Sequence, residues 1–163
     1  MEKKFGFQYP DDVKYNVCQI GNKVIHNFKF TDTKILEFME KENLQKIQIS
    51  QGYANCSIAV INQNAAIVTD SKIAEILRND GIEILCLEYL PDIKLLNAQN
   101  EFSQMKGFIG GAMARIEDKM IVFGDLKKID KKGKIKDFIQ NYHLEIVDFE
   151  GLDVIDYGGM VEI

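Results

Sequence analysis

The sequence is short of most features that would identify a protein at first sight, and each shortage excludes something. No stretch of about 18 apolar residues occurs, so no transmembrane helix and no membrane partner are expected. The opening residues, MEKKFGFQYPDD, have no apolar centre of a secretory signal. Cysteine is scarce: Cys18, Cys56 and Cys86 form an odd set without CxxC spacing. With the missing signal this argues against a disulfide framework and points to reduced thiols in the cytoplasm. The two histidines, His26 and His143, stand far apart, so no metal-ligand spacing arises and no metal is expected. Positive charge is not in excess either. Lys and Arg number 20 against 25 Asp and Glu, a net charge of −5, which argues against nucleic acid as the main partner. What remains is 163 residues, 46% hydrophobic and 28% charged, enough for a single domain over 1–163 with a real core.

After a leading segment, 1–12, with a turn expected at Tyr9-Pro10-Asp11-Asp12, the pattern predicts a strand over Val13–Ile20 and a tight turn at Gly21-Asn22. A second strand, Val24–Phe30, follows. Thr31 or Asp32 can cap a helix with an apolar stripe of Ile35, Leu36, Phe38 and Met39. Lys46–Ser50 then alternates as a half-buried strand, Ile47 in and Gln48 out. This strand, strand, helix, strand order recurs. Thr31-Asp32-Thr33-Lys34-Ile35-Leu36-Glu37-Phe38 aligns without a gap on Thr69-Asp70-Ser71-Lys72-Ile73-Ala74-Glu75-Ile76, at an offset of 38 residues (69 minus 31). The second unit reads Ser57–Val60, Ala65–Val68, a helix from Ser71 to about Asn79, and Ile82–Leu87. A weaker third has strands Met113–Ile116 and Met120–Phe123 and an insertion, LKKIDKK. It continues with a helix bearing Ile135, Phe138, Ile139 and Tyr142, and a closing strand, Glu145–Phe149. The units span about 13–50, 57–88 and 112–150, with a last strand at 157–163. Such units bury one sheet face under their own helix and the other against neighbours, which favours a ring or partial ring over one fused sandwich.

Reactive side chains concentrate in QGYANCSIAV, a Gly-containing loop between apolar runs, where binding groups aimed by strands tend to lie. Gln51, Tyr53, Asn55 and Ser57 are candidate ligand-binding groups, with Gly110 and Gly111 of the GFIGG stretch, where backbone can approach a ligand. Cys56 is a candidate nucleophile if a neighbour lowers its pKa, and His26 a candidate base. Against this, a free cysteine where a strand begins behaves as a small packed residue, and His26 suits a partly buried strand end. Asp32, Asp70 and Asp125 recur at helix starts, where capping explains them better than a shared cation does. GFIGG equally serves as a tight lead into a strand. It lacks the spacing of a dinucleotide or phosphate loop, so no cofactor is expected. The lysines 127, 128, 131, 132, 134 and 136 read as a solvated run offset by the acidic stretch from Glu145 to Asp156.

The ββαβ order resembles the pentein fold of the guanidino-group-modifying enzymes, five such units around a channel. YPDDVKYNVCQIGNKVIHN, QGYANCSIAV and GFIGGA look like an uncharacterised bacterial family assigned to that fold. The resemblance implies an α/β chain of tandem ββαβ units forming a partial pentein-like propeller, with about three units of the five. Enzymes of the fold carry a cysteine nucleophile near the C-terminus. Here the end reads Asp156-Tyr157-Gly158-Gly159-Met160, and no cysteine follows Cys86. The expectation is therefore a protein that binds a small molecule or a partner without catalysis. The alternative is a thiol-dependent hydrolase or transferase acting on a guanidino or amide group, with Cys56 its nucleophile. An open ring exposes a sheet edge at each end, so a two-fold homodimer is expected, with 1–20 and 157–163 in or near the interface.

Overall fold

The computed structural model describes residues 9–96 and 105–160. In chain order they form β1 (Cys18–Ile20), β2 (Lys23–His26), α1 (Thr33–Lys41), β3 (Gln45–Gln48), α2 (Ala54–Ser57), β4 (Ile58–Asn62), β5 (Ala65–Val68), α3 (Ser71–Asn79), β6 (Glu83–Cys86) and β7 (Lys94–Leu95). There follow β8 (Met113–Ile116), β9 (Lys119–Val122), α4 (Leu126–Ile129), α5 (Lys134–Asn141), β10 (Glu145–Val147) and β11 (Ile155–Asp156).

Three small sheets share one pairing. β1 and β2 make an antiparallel hairpin, α1 crosses over, and β3 returns parallel to β2. β4, β5, α3 and β6 are joined in the same way, and so are β8, β9, α5 and β10. A parallel return needs a crossover, which the helix supplies. A fourth, two-stranded sheet pairs β11 parallel with β7. The class is mixed α/β. The described residues form no closed barrel or propeller, so the propeller expectation reduces to several small sheets with five helices.

The caps explain the helix starts. The Asp32 carboxylate accepts from the Lys34 N–H at 2.9 Å, and Asp70 accepts from Lys72 and Ile73 at 2.7 and 3.1 Å. α1 and α3 therefore begin at the offset that relates their sequences. Asp125 caps too, accepting from Lys127 N–H at 3.0 Å, but the helix it opens is α4, a turn inside the expected insertion. The longer α5 starts after Gly133 at φ +72°, and Asp130, from outside the helix, takes the N–H groups of Ile135 and Lys136 at 3.1 and 2.8 Å. The acidic stretch from Glu145 to Asp156 takes two lysines of the run: Lys127 pairs with Glu150, and Lys128, together with Lys94, shares Asp153, whose carboxyl they hold down at about 2; Lys134 pairs instead with Glu88, outside that stretch.

Several boundaries need correction. The first strand is only β1, because 13–16 turn: the Asn16 N–H donates to Val13 carbonyl at 2.9 Å. The second stops at His26, since Asn27–Phe30 also turn, with Phe30 N–H on Asn27 carbonyl at 2.9 Å. Phe38, placed in the α1 stripe, is 54% exposed, and Met39 is the residue of that helix that is buried. The last strand expected at 157–163 is not found over 157–160, the chain pairing earlier as β11; residues 161–163, like 1–8, lie outside the described residues.

The middle sheet is covered on both faces. Alternate residues of a strand face opposite sides, and all four of β5 are buried. Ala66 and Val68 pack with Ile58 of β4, with Cys18, Ile20, Ile25 and Ile47 of the first sheet and with Ile73, Ala74 and Leu77 of α3. Ala65 and Ile67 pack with Ala59 and Ile61 against Met113, Met120, Val122, Ile135 and Ile139 of the third sheet and its helix. Burial of this kind contributes roughly 1.5–3 kcal/mol for each large side chain. The first strands of the three sheets adjoin, β4 lying against both β1 and β8.

Candidate functional site

The QGYANCSIAV stretch is not an open loop. Its middle is one helical turn, α2, so Cys56 lies on a helix and not where a strand begins, and β4 starts only at Ile58, after Ser57. Cys56 is 7% exposed and held from three sides. The Asn16 carboxamide clamps it: Nδ2 donates to Sγ at 3.0 Å and Oδ1 accepts the Cys56 N–H at 3.2 Å. The thiol in turn donates to the Gly158 carbonyl at 3.6 Å. A thiol that donates to a carbonyl has kept its proton. Burial pushes the Cys56 thiol up, opposed by the Asn16 donor and reinforced by the negative charge of Asp156.

His26 is wholly buried at the last position of β2, the place that Val68 holds in β5 and Val122 in β9. Its Nε2 lies 2.9 Å from the Gly52 carbonyl and its Nδ1 2.6 Å from the Thr31 hydroxyl. A carbonyl can only accept, so Nε2 carries the proton and, in the neutral ring, Nδ1 accepts from Thr31. Burial lowers the pKa of the ring, against the carbonyls of Gly52 and Val13. Both nitrogens are engaged, so His26 has no free nitrogen with which to deprotonate Cys56.

The other candidates divide. Gln51 turns back on the chain, its Oε1 accepting Tyr53 N–H at 3.0 Å. The Tyr53 hydroxyl donates to Asp12 and its ring lies between those of Tyr9 and Phe108; burial first, then Asp12, push the hydroxyl up to about 12. Ser57 is buried and its hydroxyl has no hydrogen-bond partner among the described residues. A Cβ on Gly111 would lie 1.8 Å from Asp156 Oδ1, and one on Gly110 2.4 and 2.5 Å from the carbonyls of Asn55 and Ile58. These glycines let backbone pack on backbone and on a buried carboxylate. Asp156 is that carboxylate: it is 4% exposed and accepts the N–H groups of Phe108 and Gly158, each at 2.8 Å. Asn16 and Asp156 were missed by sequence reasoning, since the contacts that place them at the site, Asn16 with Cys56 and Asp156 with Phe108, span 40 and 48 positions with no local pattern to mark them.

Asn55 and Gly110 do share a cavity. It has a volume of about 570 Å³ and is lined by the first strands of all three three-stranded sheets. β1 and its turn give Gln19 and Gly21, β4 gives Ile58, Val60 and Asn62, and β8 gives Met113, Ala114 and Arg115. Gln63, Glu117, Gly159 and Met160 complete it. Gln51, Tyr53, Cys56, Ser57 and Gly111 are not among its walls, and neither is His26. Among the described residues no group of three or more His, Cys, Asp or Glu is placed to hold a metal, and no helix is long and apolar enough to cross a membrane. The arrangement offers a protonated thiol without a base on one side, and on the other a polar space with hydrogen-bonding groups from three parts of the chain.

The chain belongs to a family of unknown function, DUF6873, whose model matches residues 1–161. No curated protein and no solved structure matches it. The expectation of an uncharacterised family is met; the comparison does not extend to the pentein fold.

Proposed function

We propose that this member of the family binds a small polar molecule in the cavity on which its three sheets converge, and that it does so without thiol chemistry. The observation that carries this reading is that β1, β4 and β8, far apart in sequence, each turn side chains into one space of about 570 Å³, a size usual for small-molecule sites. In the same reading the sheets are successive parts of an open, pentein-like ring with the cavity at its axis. What supports the ring is the shared pairing of the three sheets and the shared position of their first strands. The protonated, doubly hydrogen-bonded Cys56 weighs against the hydrolase alternative. A metabolite screen by thermal shift, followed by NMR mapping, tests the proposal. Binders are expected to perturb Val60, Ala114 and Gly110, and Val60→Phe, which fills the cavity, is expected to abolish binding. Binders that map elsewhere and survive Val60→Phe would refute it.

A two-fold dimer is proposed separately. Tyr9, Tyr157 and Met160, which lie within the segments expected in or near the interface, are each about half exposed, and exposed apolar groups favour contact. Sedimentation of the intact chain showing monomer alone at micromolar concentration removes this second reading.

A further inference from the structure

The hydrogen bonds around the cavity fix which way its polar groups face. Asn62 Oδ1 accepts the Asn64 N–H at 2.7 Å, so its Nδ2 donors are left over. Arg115 is anchored through Nε to the Glu117 carbonyl at 2.8 Å and through Nη1 to the Ile61 carbonyl at 3.1 Å, and its Nη2 has no partner among the described residues. Ile61 is bonded in the chain to Asn62, so these two side chains form one donor corner where β4 meets β8. The opposite polarity holds at β1 and α2. Gln19 Nε2 donates to the Gly21 carbonyl at 2.9 Å and Asn55 Nδ2 to the Gly158 carbonyl at 3.3 Å, which leaves Gln19 Oε1 and Asn55 Oδ1 as acceptors. Carbonyl and N–H partners settle each amide's orientation, since neither can change role.

We propose that the ligand, on the reading that the cavity is a binding site, is a small monocarboxylate with an N–H or O–H donor at its other end. Arg115 and Asn62 receive the carboxylate, and Gln19 and Asn55 receive the donor. A guanidinium held in place by backbone carbonyls presents its remaining N–H groups as a planar fork that matches a carboxylate. The charge count sets the valence. Among the cavity walls Arg115 is the single cation, and Glu117 lies in the same lining. Arg115 and Glu117 sum to zero, so a monocarboxylate leaves one uncompensated negative charge there and a dianion such as a phosphate leaves two, which favours the smaller charge.

The test uses the full chain labelled with nitrogen-15 and three probes at fixed ionic strength: succinamate, its neutral isostere succinamide, and inorganic phosphate. The Arg115 Nε–H and the Asn62 side-chain amide report the donor corner. Succinamate is expected to bind about tenfold more tightly than succinamide, the difference a charge-assisted hydrogen bond makes, and more tightly than phosphate. Asn62→Asp keeps the bond to the Asn64 N–H but removes the donors and adds a negative charge. It is expected to erase the preference while the rest of the spectrum stays in place. Arg115→Lys is expected to weaken it. Equal binding of succinamate and succinamide at the cavity, or a preference that survives Asn62→Asp, overturns the carboxylate assignment and leaves the cavity reading standing. Tighter binding of phosphate overturns the monocarboxylate. No movement of any cavity signal with any probe removes both.

Discussion

Ser57 buries a hydroxyl that no described residue satisfies. Such a group carries its desolvation cost with no compensating bond. Ser57→Ala is therefore expected to raise stability by up to about 1 kcal/mol in urea unfolding. A loss of similar size would mean that the hydroxyl has a partner in solution. The thiols make a second residue-scale prediction. Burial pushes Cys18 up to about 12 from an ordinary 9.0, and Cys56 is raised for the same reason. The folded state thus keeps these protons to higher pH than the unfolded chain does. Stability is complete below about pH 9 and is expected to fall as pH rises toward 12, by about 1.4 kcal/mol per pH unit for each proton released on unfolding. Unfolding at pH 7, 9 and 10, in wild type and in Cys18→Ala, measures it. An alkaline limb unchanged by Cys18→Ala would assign the loss to other groups.

His26 shows how an element inherits a demand from its neighbours. β5 and β9 end in valine where β2 ends in histidine, and the loop after β2 is longer, carrying Thr31 back to the ring. His26 therefore fastens that loop and the Gly52 turn to the end of the first sheet. Its pKa is lowered from 6.5. The unfolded chain takes the proton first, so stability is complete above pH 6.5 and falls as pH drops below it. His26→Val is expected to remove that acid limb and to cost about 1–3 kcal/mol at pH 7, because Gly52 and Thr31 lose their partner. A limb that still begins near pH 6.5 in His26→Val, as distinct from the loss at lower pH where carboxylates such as Asp153 take up protons, would refute the assignment. The sequence made the elements largely legible where local chemistry decides them. Ala65–Val68, Met113–Ile116 and Ser71–Asn79 stand where apolar pattern and cap put them. It misled where a strand was cut short for a distant contact: the apolar residues from Val13 onward read as strand, but Asn16 leaves the sheet to hold Cys56.

Across the whole molecule, the candidate site was legible by residue type and not by arrangement. Asn55 and Gly110 were marked, but Arg115, Asn62 and Gln19 share a cavity only because three sheets stack, and a strand's polar face says nothing of what lies opposite. Asp156 is the case in which long-range assembly can be measured. Its carboxylate ties Phe108 to Gly158, and Gly158 in turn covers Cys56. Asp156→Ala leaves two N–H groups without their acceptor, at an expected cost of about 2–4 kcal/mol. Tyr157 stays tied by its N–H to the Gly111 carbonyl at 2.9 Å, but the contacts of Gly158 with Asn55 and Cys56 are long, at 3.3 and 3.6 Å, too weak to hold Gly158 over the thiol once the carboxylate is gone. Cys56 is then expected to be alkylated under native conditions faster than the lowered global stability alone accounts for, while Cys18, buried in the first sheet, follows global unfolding. Alkylation of both thiols followed by peptide mapping, with unfolding measured in parallel, separates local release from general loosening. If both thiols in Asp156→Ala react only at the rate set by global unfolding, Asp156 contributes to stability without governing access to Cys56.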